Sequence, residues 1–224
     1  MLRHLVFDVN ETLLDVAALD PLFERLFGDS SARVEWFLTL EEGWMTATIV
    51  ERFQPFANLA QAALVMVGQR RGIEVSEAQC QELVEGMKRL PAHPDVRPAL
   101  EQLRGAGFQL AALSNGSLPA LRQQLESAGL GDSFDAILSV EETQRYKPAP
   151  EPYRMVAERN GIAQEQMMMV AAHAWDITGA AAVGCRTAFI ARPGKVLNPA
   201  GSQPDIHGND LQDFARQLLA WRER

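Results

Sequence analysis

The chain has 224 residues, and its 21 Lys and Arg against 29 Asp and Glu leave a formal net charge of −8, which disfavours nucleic acid as a partner. The longest apolar runs, 62–67 and 167–172, are far shorter than the ~20 residues of a membrane span, so no membrane partner is expected. At 47% hydrophobic and 22% charged the composition is that of an ordinary globular protein, and the acids Asp8 and Glu11 break the apolar start before any leader pattern, which predicts a cytoplasmic location.

In chain order, Leu5, Val6 and Phe7 form a short apolar strand that stops at the polar cluster Asp8, Asn10, Glu11 and Thr12. Residues 15–90 show helical periodicity without strand alternation, as in Leu22, Phe23, Leu26 and Phe27 and again in Leu59, Ala62 and Ala63. They read as a helical bundle inserted after the first strand, left through the stiff segment Leu90-Pro91-Ala92-His93-Pro94. A helix near Asp95 to Leu103 follows, then apolar strands at 108–113, 136–140, 167–170 and 187–190 with helical patterns between them. The clearest of those helices has Ser117 as cap, Leu118, Leu121 and Leu125 on one face, and Gly129 at its end. The stretch 193–209 reads as loop, leading to a final amphipathic helix near Leu211 to Leu219. Strands alternating with helices predict a parallel α/β sheet. Cys80 and Cys185 suit core thiols, and His4, His93 and His207 show no ligand spacing.

Ligands of an open parallel sheet bind beyond the carboxyl ends of its strands. Asp8 with Thr12, Ser114 with Asn115, Lys147 and Asp176 all fall at such ends. Any one of them reads equally as a loop residue or helix cap; their joint occurrence marks a site.

The segments Phe7-Asp8-Val9-Asn10-Glu11-Thr12-Leu13-Leu14-Asp15, Leu113-Ser114-Asn115-Gly116-Ser117, Tyr146-Lys147-Pro148 and Ala174-Trp175-Asp176 resemble the haloacid dehalogenase superfamily, and within it the L-2-haloacid dehalogenases. The likeness implies a Rossmann-like, doubly wound parallel core (residues 1–14 and 92–224) with an inserted helical cap domain (residues 15–91). It implies Asp8 as a carboxylate nucleophile that forms an ester later opened by water. Lys147 would keep Asp8 ionised, since a cation within about 4–6 Å lowers a carboxylate pKa by roughly 1–3 units. Thr12 would orient Asp8, Ser114 the substrate acid, and Asn115 would receive the halide. Tyr153 matches a tyrosine of the family site, and Asp176 would anchor Lys147 or position the hydrolytic water.

Asn10 stands where phosphatases of the superfamily carry their general acid, and Ala172 where they place an acid that helps bind Mg²⁺. A halide leaving group needs neither proton nor metal. The expectation is therefore a metal-independent hydrolase without cofactor, acting on short 2-haloalkanoic acids, with Asn10 as a substrate contact; a homodimer is compatible with the family. Three departures stand out. Typical members have Tyr-Gly at Asn10-Glu11, Ser-Ser-Asn at Ala171-Ala172-His173, and a halide-cradling arginine from the cap, in whose place Trp36 is expected. Arg33 and Arg52 read as solvated helix residues. His173 reads either as a base for the water that opens the Asp8 ester or as a histidine that only hydrogen-bonds within its loop. Two other readings stay open: a Mg²⁺-dependent phosphatase with an atypical acid, and a non-catalytic binder of a small carboxylate.

Overall fold

The computed structural model describes residues 2–222. Strand β1 (His4–Phe7) opens the sheet, and the chain then leaves it for four helices: α1 (Asp20–Phe27), α2 (Ala32–Ile49), α3 (Phe56–Arg70) and α4 (Glu77–Met87). It returns through α5 (Val96–Gly105), β2 (Gln109–Ser114), α6 (Leu118–Ser127), β3 (Ala136–Ser139), α7 (Pro150–Asn160), β4 (Met167–Ala171), α8 (Ala174–Ala182), β5 (Arg186–Ile190), β6 (Ile206–Gly208) and α9 (Leu211–Arg222). The sheet order is β3-β2-β1-β4-β5-β6, with every neighbouring pair parallel.

Burial explains the strand sequences. Leu5, Val6 and Phe7 of β1 and all five residues of β4 are buried, so these strands read as unbroken apolar runs, as central strands covered on both faces do. β6 lies in the stretch expected to be loop. It is three residues long, sits at the sheet edge and alternates buried Ile206 with exposed His207, a pattern too short to register as a strand. α6 starts as the sequence indicates, with Ala120 N donating to Ser117 Oγ and Leu121 and Leu125 buried, and Gly129 lies just beyond its end at φ 66°. Cys80 and Cys185 are buried free thiols.

The two crossings between sheet and helical insertion run side by side. Asp15 N donates to Pro91 O (2.8 Å), His93 N donates to Leu13 O (2.9 Å), and Leu14 and Ala92 form an antiparallel bridge. The insertion packs on the carboxyl end of the sheet: Arg145 donates to Thr48 O (2.6 Å) and pairs with Glu51, and the Tyr146 hydroxyl donates to Gln54 O (2.5 Å). Strand order reverses at β1, between β2 and β4, which puts the crevice above Phe7 and Asp8. Among the described residues no helix is long and apolar enough to cross a membrane.

Candidate active site

Asp8 follows β1 directly and is 5% exposed. Its Oδ2 accepts from the Thr12 hydroxyl (2.6 Å) and its Oδ1 from Lys147 Nζ (2.8 Å). Lys147 is fully buried, and its ammonium also donates to Asp176 Oδ2 (2.7 Å) and Leu113 O (3.1 Å), so all three protons are used. Asp176 lies in the first turn of α8, and its Oδ1 accepts from the Tyr153 hydroxyl (2.5 Å). Burial by itself would raise the Asp8 carboxyl, but Lys147 and His173 outweigh it and hold Asp8 well below the usual carboxylate range. Burial pushes the Asp176 carboxyl up against the pull of Lys147, and pushes the Tyr153 hydroxyl far up. Lys147, which burial alone would lower, is raised by Asp176 and Asp8 and stays an ammonium.

Local sequence sets this geometry. The Lys147 amide donates to Asn115 Oδ1 (3.0 Å), tying the loop after β3 to the end of β2. A side chain at Gly179 would place its Cβ 2.6 Å from both Pro148 Cβ and Pro148 O, and 2.8 Å from the Tyr153 hydroxyl oxygen. Only glycine lets α8 come close enough for Asp176 to reach Lys147.

A second polar group lies on the other flank of Asp8. His173 Nδ1 is 3.1 Å from Asp8 Oδ2 and its Nε2 is 2.9 Å from Glu11 Oε2. Burial would lower this imidazole, yet its bonds to the two carboxylates raise it to about 9. Glu11 also pairs with Lys195, and with Arg33 at 3.7 Å. Its backbone sits in the left-handed region, φ 63°, a setting uncommon for a side-chain-bearing residue. The His173 ring stacks on Phe37 (5.8 Å, 10°) and on Trp175 (4.8 Å, 21°).

Asp8, Asn10, Ser114, Asn115 and His173 line a small cavity with Trp175, and the helical insertion closes it with Phe37, Trp44 and Phe56. Ser114 Oγ accepts from Gly116 N (3.0 Å), which leaves its own proton for a ligand. Asn10 Oδ1 accepts from Gln124 Nε2 (3.1 Å), and the Asn115 amide spans the Lys147 backbone, with Nδ2 3.4 Å from Lys147 O. Trp44 Nε1 is buried without a hydrogen-bond partner.

Asp8, Thr12, Lys147, Asp176 and His173 therefore converge, and Asn10, Ser114 and Asn115 face the cavity. Three expectations need correction. Tyr153 is not at the cavity: it is fully buried behind Asp176 and spends its hydroxyl there. Trp36 is enclosed in the insertion's own core, where its Nε1 donates to Ala60 O (2.9 Å) and its ring packs on Phe23; one position on, at 100° around α2, Phe37 faces the cavity instead. His173, held between two carboxylates, keeps its proton at neutral pH in the resting protein. Arg33 is also not solvated: its side chain is 14% exposed and pairs with Asp20 and Glu11. Sequence reasoning missed Glu11, Phe37, Trp44 and Lys195 as site residues; the one signal within reach was Glu11, an acid three residues from Asp8 at a position where the family has glycine.

Comparison with known proteins adds a family. A model described as haloacid dehalogenase-like hydrolase matches residues 2–184. (S)-2-haloacid dehalogenase H-109 of Pseudomonas putida is 28% identical, covering 97% of this chain and 98% of its own. Haloacetate dehalogenase H-2 of Moraxella sp. (strain B) is 29% identical, with 92% of each chain covered. Among solved structures, that of L-2-haloacid dehalogenase from Xanthobacter autotrophicus with chloropropionic acid covalently bound superposes with a TM-score of 0.90 at 26% identity, over 98% of this chain and 99% of that one.

Proposed function

The chain belongs to the haloacid dehalogenase-like hydrolases, and from that premise we propose that it is a hydrolytic dehalogenase of short 2-haloalkanoic acids working through an ester on Asp8. The observation that carries this reading is an ionised carboxylate at the floor of a small, aromatic-walled cavity, backed by a buried ammonium with no proton to spare. The aromatic walls of this cavity and the free Ser114 hydroxyl suit a short carboxylic acid.

An Asp8 carboxylate oxygen attacks the halogen-bearing carbon, the new C–O bond forms as the C–halogen bond breaks, and the halide leaves with the electron pair. Thr12 and Lys147 hold the carboxylate in line. Such alignment supplies up to about 7–11 kcal/mol of barrier reduction. The Ser114 hydroxyl, with its free proton, donates to the substrate carboxylate. Halide is received by Asn115 Nδ2, the unpartnered Trp44 indole N–H and the positive edges of the surrounding rings, which stand where no cation of the insertion reaches. Water then attacks the Asp8 carbonyl carbon and releases the 2-hydroxy acid.

The test is halide release from chloroacetate and 2-chloropropionate, with and without EDTA, for the wild type and Asp8→Ala. Release that survives chelator and vanishes in the variant is expected, with ¹⁸O from labelled water entering the Asp8 peptide over many turnovers. Turnover without label in that peptide overturns the ester.

A further inference from the structure

His173 sits in a setting that the first half of this reaction would change. Its Nδ1 faces Asp8 Oδ2 at 3.1 Å and its Nε2 faces Glu11 Oε2 at 2.9 Å, and only an imidazolium donates to both. We infer that His173 is an additional catalytic residue whose proton leaves when Asp8 is esterified, turning the ring from a donor into the base that activates the hydrolytic water. This inference rests on the ester reading of the site and assigns the second half of that reaction.

The charges around the ring argue for the change. Alkylation converts Asp8 from a carboxylate to a neutral ester and removes one of the two anions that hold the proton. The other, Glu11, is shared with Lys195 and Arg33, so its charge is largely spoken for. Lys147, two bonds away through Asp8, loses its near anion at the same moment and repels the imidazolium more strongly. From α2, Glu41 accepts from the Trp175 indole N–H (2.9 Å), and burial pushes its carboxyl up against the pull of His173. Phe37 and Trp175 sandwich the ring, and its enclosure favours the neutral form. Resting protein and ester therefore impose opposite protonation states on the same side chain. Glu11 stays as the orienter of Nε2, a placement its left-handed backbone makes possible.

The protons balance. Ester formation expels halide, and the imidazolium loses its Nδ1 proton to solvent through the cavity that Asp8, Asn115 and His173 line, while Nε2 keeps its proton toward Glu11. Neutral Nδ1, within one water of the Asp8 carbonyl carbon, takes a proton as water attacks. The Asp8 acyl–oxygen bond breaks, the departing alkoxide takes the second water proton, and carboxylate and imidazolium are restored. The net reaction is haloacid plus water to hydroxy acid, halide and one proton.

The experiment compares the imidazole ¹⁵N titration of His173 in the wild type, in Asp8→Asn, whose neutral amide mimics the ester charge, and in Glu11→Gln, which leaves Asp8, Lys147 and Asp176 in place should the first variant fold poorly. The inference expects the titration to fall by about 1–3 units in Asp8→Asn and by less in Glu11→Gln; an unchanged midpoint in Asp8→Asn overturns it. In rapid quench with 2-chloropropionate, His173→Asn should release a first equivalent of halide, accumulate the Asp8 ester by mass, and hydrolyse it at least tenfold more slowly than the wild type. Hydrolysis at the wild-type rate also overturns the inference. If the wild type releases no halide from any haloacid, the ester reading fails, and the titrations still decide separately whether the Asp8 charge controls the ring.

Discussion

The two flanks of Asp8 are built differently. On the inner flank Lys147, Asp176 and Tyr153 are fully buried, every ammonium proton has an acceptor, and the charges are locked by groups that cannot reach solvent. On the outer flank His173 is wedged between Asp8 and Glu11 at the seam with the helical insertion, against Phe37, and Glu11 is in turn held by Lys195 and Arg33. The inner flank fixes a charge, and the outer flank responds to one. The ester reaction proposed above, in which Asp8 is ionised before and neutral after, would use both: a constant cation behind the carboxylate, and a partner whose proton depends on its state.

The largest expected effect breaks the inner flank. Lys147→Met leaves Asp8 and Asp176 buried without their shared cation, so the protein should lose about 3–5 kcal/mol of unfolding free energy, measured by urea denaturation, and halide release should disappear. Retained activity would remove Lys147 from the machinery.

Next comes the outer flank, read by pH. His173 has a folded pKa raised to about 9 against an ordinary value of 6.5, so its stabilisation is fully present below about 6.5 and is lost as pH rises through about 9. The wild type should lose on the order of 3 kcal/mol across that window. Thermal melts of His173→Asn should lack most of this slope, and parallel profiles would show that the ring is not held by Asp8 and Glu11.

A smaller effect sharpens the contrast from behind. Tyr153→Phe removes one hydrogen bond to the Asp176 carboxylate, at a cost of about 1.5–3 kcal/mol. Since Tyr153 does not line the Asp8 cavity, kcat should fall with KM nearly unchanged. A KM rise with constant kcat would return it to the substrate. The smallest effect is expected at Trp36→Phe, which gives up one bond to Ala60 O, about 1 kcal/mol, and leaves kcat/KM within about twofold. Phe37→Ala, by contrast, opens the cavity wall and should raise KM.

Asp8, Ser114 and Asp176 are legible because they sit at or just beyond strand ends, where position along the chain translates directly into position in space. Asp8 follows β1, Ser114 ends β2, and Asp176 opens α8 just after β4. Tyr153 was assigned to the right neighbourhood and the wrong side: a helix near a site does not reveal which of its faces turns to the ligand. The same phase problem exchanged Trp36 for Phe37, since one residue is 100° of rotation on α2 and both are aromatic. The short edge strand β6 carried too few residues for a period to register. Glu11 and His173 are separate departures from the family pattern, and nothing in their 162-residue separation indicates that they touch.

What the chain by itself determined is the alternation of apolar strands and amphipathic helices, the insertion after β1, and the placing of Asp8, Ser114 and Asp176 at or just beyond strand ends. These depend on burial and on strand termini, which are local properties of the sequence. Tertiary structure alone decided the facing of Phe37, Trp44 and Tyr153, the left-handed turn that aims Glu11, and the proton on His173. A charge state is set by the sum of fields from groups distant in sequence, and that sum exists only once the insertion and the sheet have closed on each other.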